Sequence, residues 1–332
     1  MKDEFTSAGR KPMVSVCIPT YNRAGLLRQA ITSVLEQGFQ DFEIIVHDNA
    51  STDDTSDVVR SFSDARVRYF RNPQNLGHRE NWKRCFRAAV GNYLAPLPDD
   101  DVMLPENLSR KVEFLRHNPL VGLVHSKYHV IDQDGQILLY DTNWGHGRDR
   151  SVDSFEKRED LLTAFINTIN LPTVVFTRAC YERVGEFSDH IAFAYDWEYW
   201  MRIALYYEIA FLAEPLVKWR IHSGSLTKTQ VRDPIVQLRD DLMAKRELLK
   251  NSAFAIPGSR QLRNQMWRNM AGRFFRDAQT MLKDGLEDAK ARAIVLKVCL
   301  SFPEILKERS LWKVFLNSLL GRPVADLLWQ RP

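Results

Sequence analysis

Residues 14–22 read Val-Ser-Val-Cys-Ile-Pro-Thr-Tyr-Asn, an apolar run that ends in polar side chains. Two later runs end in the same way, 42–46 before Asp48 and 93–97 before Asp99, Asp100 and Asp101. Each run has the length and composition of a buried strand. Ligands bind outside the carboxyl ends of the strands in open α/β sheets. The sequence therefore predicts that these three polar strand ends share one crevice.

The segments between these runs carry helical patterns. After the first run, Leu27, Ala30, Ile31 and Val34 recur at helical spacing, and strands and helices go on alternating to about residue 125. Such alternation predicts an α/β fold with a doubly wound, mostly parallel sheet flanked by helices. Beyond Pro234 the pattern becomes helical. We expect an α/β domain at 1–230 and a basic helical region at 231–332.

Composition limits the class of protein. The chain has 332 residues, 45% of them hydrophobic, with four cysteines that show no paired spacing. We expect reduced thiols and a cytoplasmic location, because the first residues lack the apolar stretch of a signal peptide and no apolar run reaches the ~20 residues of a membrane span. The net charge of +4 is unevenly distributed, since residues 231–332 carry an excess of positive charge and residues 1–230 an excess of negative charge.

The basic C-terminal region predicts contact with something anionic. Its last part adds apolar side chains, among them Trp312, Phe315 and Trp329. Peripheral contact with an anionic membrane is one hypothesis, a surface for homo-oligomer formation is another, and a solvated pair of helices is the third. A nucleic acid partner is not expected, because no recognition motif accompanies the charge.

The three adjacent aspartates favour a cation site. Neighbouring carboxylates repel one another in a buried site unless a cation neutralises them, and carboxylate oxygens suit Mg²⁺ or Mn²⁺ held together with substrate phosphates. The alternative is a solvated, aspartate-rich turn before the next helix. The sequence has no glycine-rich phosphate loop, which argues against a dinucleotide cofactor and a P-loop. Asp48 either accepts a hydrogen bond from the imide of a pyrimidine base or accepts the backbone amides of its own loop.

Five motifs in order resemble glycosyltransferase family 2, which has a GT-A fold. They are residues 14–23, residues 48–55, Asn75-Leu76-Gly77, residues 91–94 and Asp99-Asp100-Asp101, and the resemblance covers about 1–225. It implies inverting transfer of a sugar from a nucleotide-diphosphate donor, UDP-linked or dTDP-linked, to a hydroxyl of a glycan or lipid-linked acceptor. The family's commonest setting is surface polysaccharide biosynthesis.

The resemblance also assigns residues to roles. The usual Asp-x-Asp motif would begin at Pro98, so Asp99 and Asp100 are expected at the ribose and the metal. The metal, Mn²⁺ or Mg²⁺, is expected at Asp100, Asp101 and His222. Contacts with the nucleotide-sugar are expected from one set of residues: Pro19, Thr20, Tyr21, Arg23, Asp48, Asn75, Asp99 and Asp100.

Inverting transfer needs a base that takes the proton of the acceptor hydroxyl. Asp196 is the candidate, because it opens an aromatic helix as an acidic residue does in the family. Glu198 is the rival, and since residues two apart do not share a helix face, at most one of the two points at the acceptor. In the structural alternative Asp196 is a helix N-cap. His125 and His129 are expected to be structural, whereas Trp144, His146 and Arg148 are candidates for binding an acceptor sugar.

Two other functions remain open. A sugar nucleotidyltransferase would share a nucleotide-binding sheet but release pyrophosphate. A catalytically silent nucleotide-sugar binder would act as a scaffold, and its binding would not depend on Asp196.

Overall fold

The protein was analysed as a computed structural model that describes residues 11–142, 151–225, 234–255, 258–283, 293–294 and 296. The described residues form two compact units. The first comprises the chain up to Arg158 and Asn167–Ser225, and the second comprises Glu159–Ile166 and the C-terminal helices. The assignment of separate functions to 1–230 and 231–332 stays a prediction.

The elements follow one another in a largely alternating order. In chain order they are β1 Val14–Thr20, α1 Ala24–Leu35, β2 Phe42–Asp48, α2 Thr55–Arg60, β3 Val67–Arg71, α3 His78–Ala88, β4 Tyr93–Pro96, β5 Val102–Met103, α4 Asn107–His117, β6 Val121–Ile131, β7 Ile137–Thr142, β8 Ser154–Phe155, α5 Arg158–Thr163, β9 Val175–Thr177, α6 Arg178–Val184, α7 Tyr195–Ala204 and β10 Glu208–Arg220. Two further helices, Pro234–Lys250 and Ser259–Lys283, and short 3₁₀ helices at Leu171–Thr173 and Ser252–Phe254 complete the description.

The first unit is built on one large sheet with the strand order β3-β2-β1-β4-β9-β6-β10-β5. The four strands β3, β2, β1 and β4 are parallel, as the alternation predicts, and β6 is parallel to β10. The short strand β9 lies antiparallel between β4 and β6, and β5, β7 and β8 are antiparallel to their neighbours. The α/β prediction is confirmed, with a sheet of mixed direction.

The sheet's central strands are buried along almost their whole length because helices cover both faces. Every residue of β2 is buried, and all but one of β1. On α1 the buried side chains are the predicted apolar stripe, Leu27, Ala30, Ile31 and Val34, joined by Ser33. Gly91 allows the chain to approach β1 closely, because a Cβ at this position would lie 2.6 Å from the backbone nitrogen of Ser15.

The second unit contains a buried charge cluster around the segment Glu159–Ile166. Three side chains from the C-terminal helices donate to its carbonyl groups: Lys245 Nζ to Leu162 at 2.9 Å, Asn269 Nδ2 to Thr163 at 2.8 Å and Arg273 Nη1 to Phe165 at 2.7 Å. Burial raises the pKa of Asp241 to about 7 and lowers the pKa of Lys245 to about 7. Backbone acceptors and opposite charges thus hold this segment.

None of the helices in the described ranges combines the length and apolar character that a membrane-spanning helix needs. The apolar residues of the C-terminal region on which the membrane hypothesis rests, Trp312, Phe315 and Trp329, lie outside the described residues, and so do Trp144, His146 and Arg148. Cys17, Cys85 and Cys180 are buried free thiols.

Candidate functional site

The ends of β1 and β2 lie side by side. The parallel register pairs Thr20 with Asp48, and the Asn49 amide donates to the Thr20 carbonyl oxygen at 2.9 Å. The turns that follow are also joined, because the Asn22 amide donates to Ser51 Oγ at 2.9 Å and the Thr52 amide donates to Asn22 Oδ1 at 2.7 Å. Asn22 adopts a left-handed conformation with φ 52° that such a polar side chain tolerates.

Asp48 is fully buried and holds its own loop. Its Oδ1 accepts the Ser51 amide at 2.8 Å, and its Oδ2 accepts the Tyr69 hydroxyl at 2.6 Å. Burial beside this carboxylate raises the pKa of Tyr69, so the hydroxyl remains a donor. The Ser51 contact agrees with the loop-holding alternative for Asp48, and its contact with a pyrimidine base stays a prediction.

A network of buried amides lies beneath the segment around Asn75. Asn49 Nδ2 donates to Asn75 Oδ1 at 2.8 Å, and its Oδ1 accepts the Leu76 amide at 2.9 Å and Asn72 Nδ2 at 3.0 Å. Asn75 Oδ1 also accepts the Gly77 amide at 2.9 Å. Asn75, a predicted nucleotide contact, is thus fixed by hydrogen bonds at the N-terminal side of α3.

Arg23 lies over the aspartate cluster. Its Nη1 contacts Asp99 Oδ1 at 2.9 Å and Asp100 Oδ2 at 2.7 Å, and its Nη2 donates to the Gly224 carbonyl oxygen at 2.8 Å. Asp99 and Asp100 are almost fully buried, whereas the Arg23 side chain is 22% exposed. One guanidinium group therefore links the end of β1 to the cluster and to the turn after β10.

Asp100 and Asp101 have different partners. Asp100 Oδ2 lies 2.9 Å from His222 Nε2, whereas Asp101 Oδ1 accepts the backbone amide of Arg220 at 2.8 Å. Of the three predicted metal ligands, the structure brings together Asp100 and His222, with Asp101 on a neighbouring backbone group. Within the described ranges, no three acidic, histidine or cysteine side chains are grouped as a metal site.

Burial disfavours the charged form of two carboxyl groups in the cluster. Burial and the neighbouring Asp100 raise the pKa of Asp99 to about 6, although Arg23 opposes the shift. Burial also raises the pKa of Asp101 well above its usual value. The donor set of Asp100 and His222 fits a divalent ion that is completed by phosphate oxygens, since Mg²⁺ is usually held by one or two carboxylates together with substrate phosphates.

Arg220 is a site residue that the sequence reasoning missed. Its side chain is buried, with Nε donating to the Asp100 carbonyl oxygen at 2.8 Å and Nη2 to Gln29 Oε1 at 2.8 Å. Its Nη1 donates to the carbonyl oxygens of Asp132 and Gln133. The group thus fixes the backbone of the aspartate cluster against α1 and the β6–β7 turn. Its position two residues before His222 was the available signal.

The two candidate bases are clearly distinguished. Asp196 is partly exposed, and its Oδ2 accepts a hydrogen bond from Asn167 Nδ2 at 3.0 Å. Glu198 is buried in a two-point ion pair with Arg202, at 2.8 and 2.9 Å. Asp196 is not the N-cap of α7, a position that Ala194 occupies. The structure therefore gives Glu198 a structural role and leaves Asp196 as the candidate base.

The segment that leads into α7 is held against α3. Lys83 Nζ contacts Asp189 Oδ1 at 2.6 Å, Arg79 donates to the Ile191 carbonyl oxygen, and Arg87 pairs with Glu186. The rings of His78 and Tyr195 lie 5.4 Å apart. The start of α7, which carries Asp196, therefore lies beside the Asn75–Gly77 segment.

The remaining predicted residues have simple positions. Pro19 and Thr20 are the last residues of β1, and the Tyr21 side chain that follows is 43% exposed. The Thr20 hydroxyl is buried without a hydrogen bond of ordinary length among the described residues. His125 pairs with Glu156 at 2.8 Å, and His129 packs against Tyr140, which accords with the structural roles expected for both.

The family model for glycosyl transferase family 2 matches residues 15–184, and the chain belongs to this family. A curated relative, an uncharacterized protein of Mycobacterium tuberculosis (MT1568), is 29% identical over 233 residues, which are 67% of this chain and 70% of that protein. An uncharacterized glycosyltransferase of Methanocaldococcus jannaschii (MJ1057) is 26% identical over 216 residues, which are 64% of this chain and 71% of the relative.

Solved structures share the fold. Residues 1–349 of S. aureus TarS in complex with UDP-GlcNAc superpose with a TM-score of 0.54 at 16% identity, covering 95% of this chain and 83% of that one. The mannosyltransferase PcManGT from Pyrobaculum calidifontis, in complex with GDP-Man and Mn²⁺, gives a TM-score of 0.56 at 17% identity, covering 97% and 89%. The protein thus combines membership of glycosyl transferase family 2 with an α/β fold of the GT-A type.

Proposed function

We propose that the protein is an inverting, metal-dependent glycosyltransferase that uses a UDP-sugar or dTDP-sugar donor. The contact that carries the proposal is Asp100 Oδ2 with His222 Nε2 at 2.9 Å, because it joins two ligands suited to a divalent ion at the carboxyl end of the sheet. TarS was solved with UDP-GlcNAc and PcManGT with GDP-Man and Mn²⁺, which supports a nucleotide-sugar donor here.

The chain's own residues define a binding surface for the donor. The end of β1 offers Thr20 and Tyr21 to the nucleoside, and Asn75 lies beside the turn after β2 because Asn49 donates to its side chain. Arg23 lies where a diphosphate would approach Asp100. A bound divalent ion would stabilise the charge of the leaving diphosphate. Asp100 and His222 would hold this ion.

The transfer step is assigned to Asp196. The acceptor hydroxyl oxygen forms a bond to the anomeric carbon from the face opposite the diphosphate, while the bond between that carbon and the phosphate oxygen breaks. The hydroxyl proton passes to the Asp196 carboxylate, and the electron pair leaves with the nucleoside diphosphate. Asn167 holds the carboxylate in one orientation through Oδ2.

The wider setting is part of the same proposal. The acceptor is a glycan or lipid-linked hydroxyl, in surface polysaccharide biosynthesis at the cytoplasmic face of a membrane. The α/β domain at 1–230 is proposed to carry the transfer, and the basic region at 231–332 to make the peripheral membrane contact. Co-sedimentation of the full chain with anionic vesicles at low salt tests that contact. If the chain does not co-sediment, the proposal of membrane contact is wrong.

The first experiment tests the binding of UDP, dTDP and GDP, each with and without Mn²⁺, and its readout is the thermal unfolding temperature. A ligand that binds only the folded state raises the unfolding temperature. We expect a metal-dependent increase with UDP or dTDP. Incubation with the matching nucleotide-sugar should then release a nucleoside diphosphate. Release of pyrophosphate would instead identify a nucleotidyltransferase, and binding without turnover that is unaffected by Asp196→Asn would identify a scaffold.

A further inference from the structure

Arg23 contacts the same carboxylate oxygen, Asp100 Oδ2, that a bound cation would use. Its Nη1 lies 2.7 Å from Asp100 Oδ2, and the same oxygen lies 2.9 Å from His222 Nε2. A divalent ion of the magnesium type binds a carboxylate oxygen at about 2.1 Å. An ion on this oxygen would therefore lie next to the guanidinium group, and two cationic groups at that separation repel each other strongly in a buried site.

The arginine also supplies positive charge to two carboxylates of the cluster. It contacts Asp99 as well as Asp100, and both carboxylates are almost fully buried. Without a positive charge the two groups would repel each other and favour protonation. In this structure the guanidinium group therefore serves as the counter-ion of both carboxylates.

The Arg23 side chain can leave this position because it is partly exposed to solvent. It is 22% exposed, more than either carboxylate, and its third contact is a single backbone acceptor, the Gly224 carbonyl oxygen at 2.8 Å. The backbone is independently fixed, because the Arg23 carbonyl oxygen accepts the Leu27 amide at the start of α1. The guanidinium group can therefore change partners without loss of the helix start.

We propose that Arg23 competes with the divalent cation for Asp100, and that the donor's diphosphate releases this competition by taking the guanidinium group. The diphosphate part of the inference rests on the proposed function. A guanidinium group pairs well with phosphate oxygens through two parallel hydrogen bonds. The cation alone then binds weakly, and cation and nucleoside diphosphate bind together with positive coupling, which by thermodynamic linkage acts equally on both ligands.

A permanent structural ion pair would behave differently. If Arg23 only held the strand end in place, its removal would loosen the cluster and weaken cation binding. If Arg23 competes, its removal strengthens cation binding. The sign of one measured change therefore separates the two roles.

The test is a titration of the full chain with Mn²⁺ alone, in which electron paramagnetic resonance measures the concentration of the free ion. Arg23→Gln is compared with the wild type and with Arg28→Gln, a control on α1 whose guanidinium group contacts Ser61 and Phe62 instead of the cluster. We expect Arg23→Gln to bind Mn²⁺ about tenfold more tightly than the wild type, since one opposing charge is gone. The control should match the wild type, and Arg23→Gln combined with Asp100→Asn should lose the gain.

UDP is then titrated with and without Mn²⁺. The improvement in UDP affinity that Mn²⁺ causes should be smaller in Arg23→Gln than in the wild type. If UDP binds neither protein, the donor proposal fails while the Mn²⁺ titration still decides the competition. Equal or weaker Mn²⁺ binding by Arg23→Gln, or no Mn²⁺ binding by either protein, would overturn it.

A second variant covers the case in which Arg23→Gln does not fold. Arg23→Lys keeps the charge but replaces the planar fork, whose two nitrogens contact the carboxylates and the Gly224 carbonyl oxygen, by a single nitrogen on a shorter chain. It should bind Mn²⁺ a few-fold more tightly than the wild type, and a weaker affinity would contradict the competition. Thermal unfolding supplies an independent readout, because Mn²⁺ should raise the unfolding temperature of either Arg23 variant more than that of the wild type.

Discussion

Asn167 donates a hydrogen bond from Nδ2 to Asp196 Oδ2 at 3.0 Å, and its own Oδ1 accepts the Ile169 amide at 3.1 Å. The asparagine is thus fixed by the backbone on one side and fixes a carboxylate on the other. The Trp197 amide in the first turn of α7 donates to the other oxygen, Asp196 Oδ1, at 2.7 Å, so the helix and Asn167 together hold both oxygens of the candidate base.

Asp196→Asn should slow transfer severely while leaving donor binding intact. The amide cannot take a proton from the acceptor, and loss of a general base lowers the rate by about 10²–10⁴-fold. The measurement pairs the turnover rate with the Mn²⁺-dependent affinity for UDP. Retention of turnover would assign the base elsewhere.

Asn167→Ala should lower the turnover number more than it changes the Michaelis constant for the donor. A base that is no longer held is misplaced for part of the time, which costs roughly tenfold to a hundredfold. Asn167→Asp serves as the contrasting variant, because it places a second carboxylate against Asp196 and should be worse than alanine. The positioning role would be refuted if both variants lowered the unfolding temperature equally and neither changed the turnover number.

Glu198→Gln should act on stability. The glutamate is 2% exposed and forms two contacts with Arg202, which itself donates to the carbonyl oxygens of Val184 and Glu186. Removing one charge of a buried pair leaves the other without compensation, at a cost of about 3 kcal/mol. Urea unfolding measures the loss, and a variant as stable as the wild type would contradict this assignment.

Asp100→Asn and Asp101→Asn should separate the two predicted metal ligands. Asp100 contacts His222, so its amide variant should lose Mn²⁺-dependent UDP binding. Asp101→Asn keeps an oxygen that can accept the Arg220 amide, and should retain most of that binding. The reverse order of the two effects, read by calorimetry, would move the metal to Asp101.

Lys111→Met should stabilise the protein. Lys111 is completely buried on α4, and its Nζ has no hydrogen-bond partner among the described residues. Replacing an unpaired buried amine by an apolar chain of similar length should gain about 1–3 kcal/mol. Chemical unfolding of the two proteins at pH 7 checks the gain.

The gain from Lys111→Met should depend on pH. Burial lowers the pKa of Lys111 well below its usual value, so the unfolded chain binds the proton that the folded chain lacks. Wild-type stability therefore falls as pH decreases below the unfolded pKa, and the variant should lose this dependence. The stability gap should widen from pH 10.5 toward neutrality, and a constant gap would show that the folded amine is charged.

The sequence predicted the strand ends well because each is encoded locally. An uninterrupted apolar run followed by Thr20, Asp48 or Asp99 needs no knowledge of distant residues. The long strand β10 was harder, since Glu214 and Pro215 interrupt its apolar pattern, and the ladder to β6 shifts register at this position. Only the pairing with β6 makes the segment one strand.

Side-chain partners could not be predicted in the same way. Whether Asp100 or Asp101 points at His222 depends on the turn that begins at Pro98, and the role of Arg220 depends on chain segments nearly 90 and more than 190 residues away. In the sequence, Glu198 was a rival to the preferred candidate Asp196. They differ because one faces Arg202 and the other Asn167, contacts that only the folded chain creates.

The mutual hydrogen bonds of the Asn22 and Ser51 turns have a consequence for the thermodynamics of binding. These turns are ordered against each other when the protein folds, so a nucleoside that docks on them loses little chain entropy. Ser51→Ala removes the hydrogen bond from the Asn22 amide, so the two turns would become ordered only when the nucleoside binds. The affinity would then weaken through an unfavourable entropy change, with the direct contacts between nucleoside and protein left unaltered.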